Sequence, residues 1–84
     1  YGSMKITGAQ IRAARALVRW SADDLARAAK VGLMTVRRAE AADGPVGITE
    51  ANAAAIRTAL EAASVEFINE NGGGPGVRLK FPNL

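Results

Sequence analysis

The chain contains no cysteine and no histidine. That removes disulfide staples and thiolate or imidazole metal ligands, along with the commonest nucleophile and the commonest general base. Only carboxylates, lysines and hydroxyls are left for chemistry, so neither an enzyme nor a bound metal or cofactor is expected. Aromatic residues make up only 5% of the 84 positions, so the core has to be built from small and aliphatic side chains on closely spaced helices. No apolar run approaches the ~18 residues of a membrane-spanning helix, and no apolar stretch follows a basic N-terminus. A cytoplasmic protein with no membrane contact is the expectation. Tyr1, Gly2 and Ser3 read as an expression remnant ahead of a native Met4.

What is present is unevenly charged. The net charge is +3, but residues 5–38 hold eight cations (Lys5, Arg12, Arg15, Arg19, Arg27, Lys30, Arg37, Arg38) against Asp23 and Asp24. From residue 39 onward three cations face six acids, and the sign reverses. The N-terminal half is therefore the candidate surface for a polyanion.

Helix starts are announced three times by an apolar residue, a small cap and an apolar residue four positions after the cap: Ile6-Thr7 with Ile11, Trp20-Ser21 with Leu25, and Val31-Gly32 with Val36. Gln10 and Asp24 stand where a capping box needs them. The spacing predicts helices over about 8–19, 22–29 and 33–41. Asp43-Gly44-Pro45 is a break, and Ile48-Thr49 opens a fourth helix over about 50–63 with Ile56, Ala59, Leu60 and Ala63 as its buried stripe. Beyond Ser64 the pattern changes. Val65, Phe67 and Ile68 form a β-prone run, and Val77, Leu79 and Phe81 alternate with Arg78 and Lys80. The two segments can pair with each other across the glycine run 72–76 or with strands of a second subunit. That glycine run lacks the Lys-Ser/Thr of a phosphate-cradling loop and is read as a turn.

Two helices meeting at a steep angle need small or apolar residues at fixed places, and Leu25, Ala26, Ala29, Val31, Val36 and Ala39 supply them. The segment SADDLARAAKVGLMTVRRAEAA resembles the Cro and phage-repressor (XRE) family of helix-turn-helix regulators, and the resemblance covers about residues 6–63. The fold it implies is mostly α, a four-helix phage-repressor-like domain over 4–63, with residues 64–84 as a short β-strand or hairpin tail. Two positions differ from the family pattern. Lys30 stands where the turn usually has glycine, which predicts a slightly irregular turn, and Gly32 replaces the usual hydroxyl cap.

The resemblance implies that the helix over about 33–41 enters the major groove of duplex DNA. Transferred residue by residue, Leu33, Met34 and Arg38 face bases and Arg37 reaches a base or a phosphate. Ser21, Arg27, Lys30 and Thr35 lie along the phosphates. Arg15 and Glu40 form a structural ion pair between the first and third helices. Arginine reads guanine through O6 and N7, while Leu33 and Met34 can only touch a thymine methyl. The function expected is that of a bacterial transcriptional regulator, acting as a repressor. The thin core predicts a homodimer through the fourth helix and the tail. The alternative is an antitoxin-like or antiactivator module whose terminal strands hold a protein partner.

Overall fold

The computed structural model describes residues 5–70 and 72–81, so the expected remnant at 1–3 and Met4 lie outside the described residues. Four helices, α1 (Gly8–Val18), α2 (Ala22–Ala29), α3 (Leu33–Glu40) and α4 (Glu50–Ala62), are followed by strands β1 (Val65–Ile68) and β2 (Gly76–Leu79). The architecture is mostly α with a short antiparallel hairpin at the end.

Each helix begins where its cap dictates. Thr7 accepts from the Gln10 N–H at 3.1 Å while Gln10 Oε1 accepts from the Thr7 N–H at 2.9 Å. Ser21 and Asp24 repeat the exchange at 3.0 and 2.9 Å, and Thr49 caps α4 through the Asn52 N–H at 3.2 Å. Gly32 offers no side-chain oxygen, and α3 starts without such a bond.

The ends of α1, α3 and α4 each fall one residue short of the span predicted from sequence. Arg19 turns left-handed (φ 59°, ψ 38°), and Lys30 does the same after α2 (φ 60°, ψ 44°). In both places the backbone makes the same pair of terminating bonds. The N–H of Trp20 reaches the Arg15 carbonyl at 2.9 Å and that of Arg19 reaches Ala16 at 3.3 Å; Val31 reaches Ala26 at 3.0 Å and Lys30 reaches Arg27 at 3.3 Å. The irregular turn expected at Lys30 does not occur. The turn is regular, and the lysine accepts a conformation that costs about 1 kcal/mol for a residue with a Cβ.

The core is aliphatic. Ile11, Leu25, Val36, Ile56 and Leu60 are fully enclosed, with Ile6, Ala14, Ala26, Ala29, Ala39, Val65 and Phe67 around them. Each large aliphatic side chain removed from water contributes about 1.5 to 3 kcal/mol. Trp20 and Val31 are half-buried against this cluster, closing the two helix-start staples, whereas Ala59 and Ala63 on the α4 stripe are only partly covered.

The hairpin closes within the chain, with Val65 opposite Leu79 and Phe67 opposite Val77. It packs against α1 and α4. Gln10 fastens it, its amide donating to the Gly76 carbonyl at 2.9 Å and to that of Ile68 at 3.4 Å. Phe81, predicted to continue the strand's apolar face, lies beyond β2 and is 63% exposed. Among the described residues no helix is long and apolar enough to cross a membrane.

Candidate nucleic-acid interface

The third helix is held from behind. Val36 and Ala39 are sealed in the core, and Glu40 at its last position receives a two-pronged arginine. Arg15 Nε meets Glu40 Oε2 at 2.7 Å and a terminal nitrogen meets Oε1 at 2.9 Å, while the other terminal nitrogen donates to the Trp20 carbonyl at 3.0 Å. The two side chains are 24% and 11% exposed, so the pair is largely out of solvent. The hydrogen bond it donates to Glu40, reinforced by that carboxylate's charge, holds the Arg15 guanidinium even more firmly protonated than usual.

Two further residues, which the sequence did not single out, fix the same seam. Arg12 donates to the Glu40 carbonyl at 2.6 Å and binds the Asp43 carboxylate, neutralising the negative end of α3. Gly8 lies where α1 crosses the chain leaving α3. Its N–H donates to the Gly44 carbonyl at 3.0 Å, and a Cβ there would sit 1.9 Å from the Ala42 oxygen. The signals were present but weak: a glycine in a first helical turn where it is a poor helix former, and an arginine three residues before Arg15 on the same face.

The opposite face of α3 is built differently. Met34 is 66% exposed, and Arg37 and Arg38 are exposed. Neither arginine side chain makes an ion pair or hydrogen bond among the described residues, and the same holds for the side chain of Lys30 in the preceding turn. The five ion pairs of the described residues instead engage Arg12, Arg15, Arg27, Arg57 and Arg78.

The remaining residues expected to contact DNA fall into distinct settings. Leu33 is half-buried and packs on the core, so only part of it faces outward. Thr35 is half-buried one turn into α3. Ser21 is exposed, but its oxygen is engaged in capping α2. Arg27 is bound to Asp24 at 2.8 Å, and the pair remains in solvent, 73% and 41% exposed. The Asp24 carboxyl lies below its usual range because the Ser21 N–H and hydroxyl donate to it, with Arg27 adding a favourable charge. Among the described residues no cluster of acidic side chains is arranged to hold a metal ion.

What the arrangement can do chemically is bind anions. A short helix, locked on its inner face, projects two guanidinium groups and a thioether outward, with an ammonium in the turn before it. No protein-family model matches the sequence, and no curated protein is found to be similar to it.

Proposed function

We propose that this chain binds duplex DNA in a sequence-dependent way, as a transcriptional regulator of the helix-turn-helix kind, with α3 in the major groove. The observation that carries the reading is the sorting of arginines. Those on the inner seam are bound to carboxylates, while Arg37 and Arg38 on the outer face of α3 have no acidic partner among the described residues. Leaving guanidinium groups unneutralised on a rigid helix suits them to guanine edges and phosphates. Arg38 and Met34 are the base readers in this proposal, Arg37 serves a base or a phosphate, and Lys30 serves the backbone.

Regulation would take place in the cytoplasm. A homodimer through α4 and the tail would set two copies of α3 about 10 base pairs apart on a pseudo-palindrome. Light scattering at micromolar concentration checks that assembly, a one-chain mass refuting it.

The decisive test of the DNA reading is in vitro selection of bound duplexes, followed by two variants. Arg38→Ala is expected to lose about 1 to 3 kcal/mol on the selected site and to relax preference at one base position per half-site. Lys30→Ala should weaken selected and scrambled duplexes alike. Equal losses on both duplexes for Arg38→Ala would make it a phosphate ligand and displace the register proposed for α3. An interaction module is the second reading, favoured by exposed Phe81 at the tail. Failure to enrich any duplex, together with co-purification of one defined protein, would select it.

A further inference from the structure

We infer that Arg19, together with Lys30, grips the phosphodiester backbone of duplex DNA at the two ends of α2, an inference that rests on the DNA-binding reading above. The starting point is a pair of left-handed helix ends, closed by backbone bonds that glycine would make equally well, whose cationic side chains have no partner among the described residues. Three non-glycine residues among those described have positive φ: Arg19, Lys30 and Ser64. Ser64 has a packing reason, because its carbonyl accepts the Lys80 N–H at 2.7 Å and hands the chain from α4 to the hairpin. The side chains of Arg19 and Lys30 have none. Both are exposed, and neither makes an ion pair, hydrogen bond or ring contact among the described residues.

The two turns also share one plan. Arg19-Trp20-Ser21 and Lys30-Val31-Gly32 each place a left-handed cation, a half-buried apolar residue and a helix cap in that order. Glycine would satisfy the left-handed position without steric cost, and backbone strain of this kind gathers where a side chain is needed for binding. A cation at each of these positions therefore calls for an external anion.

The placement of α2 identifies that anion. In the helix-turn-helix arrangement the first helix of the pair crosses the sugar–phosphate backbone while the second enters the groove. The eight residues of α2 span about 12 Å, and the two cations bracket it. The acids of its first turn, Asp23 and Asp24, stabilise the helix but repel phosphate. Asp24 is occupied by Ser21 and Arg27, which leaves Asp23 as the opposing charge at that end of α2.

The test measures binding of a mixed-sequence duplex and of a selected site across a salt series, using the full chain. Arg19→Gly and Lys30→Gly are each expected to weaken both duplexes by the same factor, about eightfold at 0.1 M salt, and to reduce the salt slope by about one unit. Both should raise the melting temperature by a few degrees, because glycine relieves the left-handed strain. Arg19→Gln, which keeps a side chain and removes the charge, should lose the same affinity without the gain in stability. Lys80→Gln, a charge removed from the far end of the hairpin, should leave the slope unchanged. An unaltered slope in Arg19→Gly and Arg19→Gln, with the parent still binding, overturns this inference alone. A parent that binds no duplex overturns the DNA reading and this inference with it. Changed base preference in either Arg19 variant would also overturn the inference, since it would make Arg19 a reader of sequence.

Discussion

The inner and outer faces of α3 use the same residue type to opposite ends. On the inner side arginines from α1 arrive with carboxylates to meet them: Arg15 with Glu40, and Arg12 with Asp43 and the Glu40 carbonyl. On the outer side Arg37 and Arg38 are separated by one peptide bond from each other and have no carboxylate within reach among the described residues. The difference shows that net charge is a poor guide to a binding surface. Of the eight cations in the basic half, three are consumed within the fold by Glu40, Asp43 and Asp24, and the surface available to an anion is made by the rest.

The sharpest way to break the inner face is Gly8→Ala. Its Cβ would fall on the backbone oxygens of Ala42 and Ala39, neither of which can rotate away, so α1 must separate from the end of α3. The expected loss is about 3 kcal/mol, at the upper end for overpacking, and denaturant unfolding measures it. A loss under about 0.5 kcal/mol would mean that the seam is loose.

Arg15→Ala comes next. It strands the mostly buried Glu40 carboxylate, with an expected loss of about 2 kcal/mol. Arg37→Ala on the other face of the same helix should stay within about 0.5 kcal/mol of the parent. Equal losses in the two variants would erase the distinction between the faces.

The smallest effect concerns the exposed pairs, Asp24 with Arg27 and Glu66 with Arg78. Both carboxyls are held below their ordinary range, Asp24 chiefly by the Ser21 N–H and Glu66 chiefly by its hydrogen bond from Arg78. A carboxyl lowered by folding stabilises the folded state above its unfolded pKa, about 4, and that contribution fades as the pH falls through the lower folded value. The parent should therefore lose a little stability on acidification below about pH 4. The double variant Asp24→Asn/Glu66→Gln should lie slightly below the parent at neutral pH and converge with it in strong acid. Melting curves across that range check the sign, and a gap that widens in acid would reverse it.

Helix starts were legible because capping is local. Thr7 with Gln10, Ser21 with Asp24, and the staples at Trp20 and Val31 are read within six consecutive residues. The end of α1 was displaced by one residue because Arg19 carries no outward mark of a left-handed conformation that glycine usually announces, whereas α3 and α4 stop at Ala41 and Ala63 with ordinary negative φ and no residue that signals the stop. What crosses the fold was not legible. Gly8 matters only because a carbonyl thirty-four residues later passes beside it, and Arg12 only because the chain leaves α3 toward it. Leu33 illustrates the same limit at the candidate site: the family resemblance implied that it faces bases, but it is half-buried and packs on the core. The tail left two pairings open from sequence, and the hairpin's own register, with Gln10 as its anchor, is what the fold adopts.

Gln10 also joins the beginning of the folded chain to its end. One amide serves both the first turn of α1 and the mouth of the hairpin, bridging separations of 58 and 66 residues. Closing loops of that length carries an entropic cost, so these bonds are expected to form late in folding, after the helices have assembled around Ile11 and Leu25. Once formed, they tie two segments that local stability alone would allow to open independently. Opening the hairpin leaves a buried amide without its carbonyl partners, and fraying the first turn withdraws the hairpin's anchor. The helical segment and the tail are thereby coupled through one side chain and are expected to unfold as one unit.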